Sequence, residues 1–125
     1  MIADTTFLSD LLRQQLDGRP RGALAFLAAH RQQQLLVTVI SVGEIASMFA
    51  QPENARPLLS RFRQLRLTPQ IAFAAASVDR ELIQAGQRLG ENDNWIAGFC
   101  RYYRQPIVSR DAAFDRVRRL RRIAY

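Results

Sequence analysis

Short apolar runs, each too brief to make a helix and each followed at once by amphipathic sequence, restrict the fold of this chain more than any other feature. Leu35-Leu36-Val37-Thr38-Val39-Ile40 is an apolar, partly β-branched run of the kind expected for a strand buried on both faces. Met1-Ile2-Ala3, within a strand at residues 1–5, and Pro106-Ile107-Val108 read the same way. Between them Phe7, Leu8, Leu11, Leu12 and Leu16 recur at helical spacing until Asp17-Gly18-Arg19-Pro20 breaks the pattern. Residues 23–29 predict a second helix ending near His30, and Ser41-Val42-Gly43-Glu44 starts a third that Gln51-Pro52 ends. A helix is expected over 55–65 with Leu58, Leu59, Phe62 and Leu65 on one side, then a short strand at 66–69. A long helix over 71–89 closes at Gly90; further helices cover 92–104 and 111–120, and residues 122–125 make a final edge strand. Strands alternating with helices predict one α/β domain over residues 1–125, with a short, mostly parallel central sheet between helical layers.

The side chains that are missing exclude much chemistry. A hydrophobic content of 48% closes a core without disulfides, and the single Cys100 permits neither an internal disulfide nor a cysteine zinc cluster. One histidine, His30, excludes a two-histidine acid-base pair and a His-Glu-x-x-His helix. The chain has no lysine, hence no Walker A loop and no Schiff base. No apolar run approaches the roughly 20 residues that cross a bilayer, and the start lacks a secretory pattern, so a cytoplasmic protein without membrane association is expected. All 18 basic residues are arginine, and the net charge of +7 points toward polyanionic partners, nucleic acid first.

Against this basic background four acids share one local setting. Asp4, Glu44 and Asp111 each follow an apolar run, and Asp93 opens a helical stretch. Taken singly, each has a capping explanation: Ser41-x-x-Glu44 has the form of a capping box, and Asp4, Asp93 and Asp111 suit helix starts. Capping does not explain why several should meet. In a parallel sheet, residues just past the strands gather at the carboxyl edge, where clustered carboxylates repel unless a divalent cation joins them. Oxygen donors without nearby histidine or cysteine favour magnesium or manganese over zinc. Asp10, Asp17, Asp79, Glu53 and Glu81 read as surface charges, with Glu91 and Asp115 intermediate.

The sequence resembles the PIN-domain ribonucleases, and among them the VapC-type toxins of bacterial toxin-antitoxin modules. Ile2-Ala3-Asp4-Thr5-Thr6-Phe7-Leu8 is similar to the family's first motif and Ser41-Val42-Gly43-Glu44-Ile45 to its second. Residues 90–97, with Asp93, resemble the third, and residues 107–114, with Asp111, the fourth. The resemblance spans nearly the whole chain and implies a PIN-like three-layer α/β/α domain. It puts the family's acidic quartet on Asp4, Glu44, Asp93 and Asp111, and its hydroxyl residues on Thr6 and on Ser109, where threonine is more usual. Asp115 is the substitute for Asp111, and Arg110 is the arginine nearest the acids for holding phosphate.

The resemblance further implies Mg2+- or Mn2+-dependent endonucleolytic cleavage of RNA, tRNA or ribosomal RNA being the targets of relatives. Asp4 and Asp93 would be metal ligands, with Glu44 and Asp111 completing the site. It implies a cognate VapB-type antitoxin and a homodimer, within a larger assembly if the two combine. The helices bearing Leu58, Leu59 and Phe62, or Trp95, Phe99, Tyr102 and Tyr103, are its candidate faces. Two other readings compete: a noncatalytic arginine-rich RNA-binding domain whose acids are caps, and a phosphoryl-transfer enzyme with Asp4 as nucleophile. The second is weakened by Thr6, where such enzymes place a second aspartate, and by the missing lysine.

Overall fold

In the computed structural model, residues 1–19 and 21–125 are described; Pro20, part of the expected helix break, lies outside them. Five strands form one parallel sheet: β1 (Ile2–Ala3), β2 (Leu36–Thr38), β3 (Arg63–Leu65), β4 (Ile107–Val108) and β5 (Arg122–Ile123), in the order β3-β2-β1-β4-β5. Successive side chains of a strand point to opposite faces, and two cores follow from that. Ala3, Val37 and Val108 pack with Phe7, Leu8, Leu11, Phe26 and Ile45 on one face. Ile2, Leu65 and Ile107 pack with Ile71, Val78, Ile96, Phe99 and Phe114 on the other. The first layer holds α1 (Thr5–Asp17), α2 (Ala23–Ala29) and α4 (Arg56–Leu59); the second holds α5 (Pro69–Gln84) and α6 (Glu91–Tyr103). The expected three-layer α/β/α architecture is therefore present. None of the described helices is long and apolar enough to cross a membrane.

Several element boundaries differ from expectation, each for a local reason. Thr38 ends the strand, accepts the Ser41 amide at 3.1 Å and caps α3 (Val39–Ala46), so the helix starts earlier and Ser41 is not its cap. Glu44 accordingly stands beyond the first turn. The expected helix over 55–65 breaks into a 3-10 turn (Pro52–Ala55) and the short α4, and the next strand is at Arg63–Leu65 rather than 66–69. Pairing of Leu36, Val37 and Thr38 with Arg63, Gln64 and Leu65 overrides the helical spacing there. Gly86, at φ 66, follows the end of α5, whereas Gly90, at φ −60, precedes α6 as its N-cap. The expected helix over 111–120 is only a 3-10 turn (Ala112–Arg116). Where α5 crosses α6, a Cβ on Gly98 would stand 2.5 Å from Ala75 Cβ, so a residue without a side chain lets the helices approach.

Leu58, Leu59, Phe62 and Phe99 are buried in the cores and unavailable as interface residues. Tyr102 and Tyr103 are exposed, as are Leu16, Phe73, Met48 and Ile83.

Candidate active site

The chain order reverses at β1: β2 and β3 build the sheet to one side, β4 and β5 to the other. Such a reversal opens a crevice beyond the carboxyl ends of the strands, and Asp4 and Ser109 stand there, one residue past β1 and β4. The register Ala3↔Val108 places them side by side, with the Asp4 amide donating to the Val108 carbonyl at 3.1 Å.

Asp4 caps α1 through the Phe7 amide at 2.8 Å, as capping predicts. It does more than cap. Thr6 Oγ1 donates to its carboxylate at 2.9 Å and Ser109 Oγ donates to Oδ2 at 2.5 Å. Burial pushes the Asp4 carboxyl above the ordinary aspartate range, opposed by these donors, Ser109 foremost. The buried Ser109 oxygen also accepts the Asp111 amide at 2.9 Å, and Asp111 accepts the Ala113 amide at 2.8 Å as cap of the 3-10 turn. One hydroxyl thus ties two of the acids together.

Among the described residues, Glu44 and Asp93 cap nothing. Glu44 extends from α3 and accepts hydrogen bonds from the Thr5 hydroxyl and from Asn92 Nδ2, the latter at 2.9 Å. Asp93 lies in the first turn of α6, where the helix dipole favours a negative charge, yet its carboxyl is raised to about 6. Burial is the largest cause, followed by the charges of Asp111, Glu44 and Asp4. Four carboxylates from four separate segments are therefore near enough to feel one another.

Six of the other acids are ion-paired: Asp17, Glu53, Asp79, Glu81, Asp10 and Asp115 each hold one arginine. Among the described residues, Asp4, Glu44, Asp93 and Asp111 have no such partner. Glu91, exposed at the start of α6, also lacks one, so the quartet is set apart by the mutual charge of Asp111, Glu44 and Asp4 on Asp93 rather than by the missing arginine alone. Among the described residues no group of three carboxylate, histidine or cysteine side chains is arranged to enclose an ion as it stands. Asp4 and Glu44 are turned onto hydroxyl and amide donors instead. By donor chemistry the site suits a hard cation, since carboxylate and hydroxyl oxygens line it; His30 stacks on Phe26 and Cys100 is buried in the core.

The supporting residues separate. Thr6 and Ser109 join the cluster through Asp4. Asp115 does not: Arg122 holds it bidentately at 2.8 and 2.7 Å and keeps its carboxyl below the usual range. Arg110 is engaged by Asp10 at 3.1 Å. Asp10, expected as a surface charge, is buried and also accepts the Tyr125 hydroxyl at 2.9 Å. Thr5 and Asn92 are site neighbours that sequence spacing did not single out, because their contacts span 39 and 48 positions.

A search of curated proteins yields no significant match to the chain. Solved structures share the fold. VapBC2 from Rickettsia felis, bound to a promoter DNA fragment, aligns with TM-score 0.79 at 18% identity, covering 98% of this chain and 96% of that one. VapBC-1 from nontypeable Haemophilus influenzae aligns with TM-score 0.79 at 19% identity, covering 98% and 96%. FitAcB from Neisseria gonorrhoeae aligns with TM-score 0.78 at 19% identity, covering 98% and 95%. The PIN domain model matches residues 1–120, which contain every acid of the quartet, and the chain belongs to the PIN domain family.

Proposed function

We propose that the chain is a divalent-metal-dependent endoribonuclease, the VapC-type toxin of a toxin-antitoxin pair, acting in the cytoplasm on tRNA or ribosomal RNA. The observation that carries this reading is the unpaired quartet, with Asp93 raised to about 6 by burial and by the other three acids. Repulsion of this kind is what a cation relieves. Asp4 and Asp93 would hold Mg2+ or Mn2+, with Glu44 and Asp111 completing its surroundings. When bound, the ion supplies a nucleophilic water of lowered pKa and stabilises charge on the phosphoryl oxygens.

The protein's own part is positional. Ser109 and Thr6 orient Asp4, and Ser109 fixes the Asp111 backbone through the same hydroxyl. Thr5 and Asn92 hold both oxygens of Glu44. With Arg110 tied to the buried Asp10, it supports phosphate binding only if that pair opens. The assignment as toxin draws support from the neighbours, which are VapBC and FitAB-type complexes, some with DNA. A VapB-type antitoxin and self-association as a homodimer follow from that assignment, with Tyr102 and Tyr103 the exposed part of the candidate faces.

The capping alternative has a specific observation in its favour, since Asp4 and Asp111 do cap helical turns. It does not account for Glu44 and Asp93. Cleavage of total RNA by the purified chain with Mg2+ or Mn2+, lost with a chelator and in Asp4→Ala and Asp93→Asn, is the expected result. RNA binding with no cleavage even when Mg2+ or Mn2+ is supplied would overturn the proposal in favour of the noncatalytic reading.

A further inference from the structure

The edge of the sheet opposite the acids carries the reverse charge. Before β4 and β5 opens a cleft of about 730 Å3, lined by Arg101, Arg104, Arg118, Arg119 and Arg121 around a floor that includes Val117 and Leu120. Its one acid, Glu81, is occupied by Arg101 at 2.7 and 2.9 Å. The other four arginines are exposed and, among the described residues, have no carboxylate partner. At the far end of the same edge, before β2 and β3, a second cleft of about 470 Å3 is lined by Arg31, Arg61 and Arg63.

Backbone geometry gives an independent sign that these side chains are held for a purpose. Outside glycine, the described residues with positive φ are Arg104, at 51°, and Arg119, at 65°, and both line the first cleft. Left-handed backbone is strained for a side-chain-bearing residue, and glycine is the usual occupant of the position that Arg104 takes at the end of α6. Strain of this kind concentrates where a ligand is held.

We propose that this amino edge is a second nucleic-acid-binding surface, separate from the acidic crevice, that grips the phosphate backbone of single-stranded RNA without reading sequence. Guanidinium groups pair bidentately with phosphate, and among the described residues no aromatic side chain lines the first cleft to stack a base. Two basic clefts at the two ends of a five-stranded sheet, whose outer strands lie about 19 Å apart, suit a polymeric anion rather than one phosphate. The proposal does not depend on catalysis by the acids. Without a cation the acidic crevice repels phosphate, so the part of the binding in a chelator that cleft variants remove reports on the basic edge.

The test is binding of a labelled oligouridylate of about 20 nucleotides, longer than a typical single-strand site, in a chelator over a range of salt. Arg104→Gly/Arg119→Gly relieves the backbone strain while removing two phosphate contacts. It is expected to leave thermal stability unchanged or raised, weaken binding by about ten-fold, and lower the log-log salt slope by about 0.7 per arginine. Arg118→Gln/Arg121→Gln, which leaves the backbone alone, should do the same to binding. Wild-type affinity and slope in both variants would overturn the proposal. So would loss of binding to a labelled polyglutamate or to inorganic triphosphate in these variants while oligouridylate binding stays intact.

Discussion

Ser109 Oγ donates to Asp4 Oδ2 at 2.5 Å, joining the ends of β1 and β4 across 105 positions of sequence. Both groups are buried, and the same oxygen accepts the Asp111 amide. Ser109→Ala leaves a buried carboxylate short of a donor and a backbone amide without an acceptor. Equilibrium denaturation should show a loss of about 1–3 kcal/mol. Ser109→Thr keeps the oxygen and is expected to be much milder in both stability and RNA cleavage. Equal effects of the two would contradict a role for the hydroxyl.

Asp93 makes stability depend on pH in a defined direction. Its folded-state pKa of about 6 lies above the ordinary aspartate value of 3.8, so the native state binds more protons than the unfolded state in that interval. Stability therefore falls as pH rises from about 4 through 6, and the penalty is fully present above it. In a chelator, Asp93→Asn should stabilise the protein above this window and lose its advantage below pH 4. The gain expected is about 1–2 kcal/mol, reduced from the full shift because the group is only partly buried. A gain that is constant with pH would rule out titration of Asp93 as its origin.

The same repulsion predicts stabilisation by metal. Mg2+ or Mn2+ at about 100 times its dissociation constant should stabilise the wild type by about 2.7 kcal/mol, raising Tm. Asp4→Asn/Asp93→Asn should abolish the response. A Tm shift that persists in this double variant would place the ion elsewhere.

Asp111 and Asp115 are expected to part in function. Asp115→Asn disturbs an exposed pair with Arg122 and should leave both folding and RNA cleavage near wild type. Asp111→Asn weakens the quartet and should lower cleavage at least about 10-fold, as loss of supporting groups around a metal does. The reverse ranking in a cleavage assay would transfer the fourth acid to Asp115.

Gly98→Leu should destabilise the α5–α6 crossing, where even a Cβ meets Ala75 at 2.5 Å. A cost of about 1–3 kcal/mol or more is expected, partly offset by the better helix propensity of leucine. Because α6 carries Asp93, cleavage should fall alongside stability. Unaltered denaturation would mean that the two helices separate freely.

The quartet could be found from sequence because each acid follows or opens an element whose apolar pattern is local. Of its partners only Thr6 and Ser109 came with the motifs. Thr5 meets Glu44, Asn92 reaches the same carboxylate, and outside the quartet Tyr125 meets Asp10, each through contacts that no spacing encodes. Asp10 illustrates the reverse failure: a charge at an ordinary helical position is buried because Tyr125 and Arg110 close over it. β3 was displaced from 66–69 to Arg63–Leu65 because strand pairing, a nonlocal interaction, outweighed the helical periodicity of its segment.

By itself the sequence determined the alternation of buried strands with amphipathic helices, the absence of histidine, cysteine and lysine chemistry, and the four acids placed for one sheet edge. These follow from side-chain type and period, which act over a few residues. Only the tertiary structure decided which acids escape arginine, that Ser109 binds two of them, and that Arg104, Arg118, Arg119 and Arg121 line one cleft at the opposite edge. Those outcomes depend on strand order and register, and a charge's partner is set by proximity in space rather than along the chain.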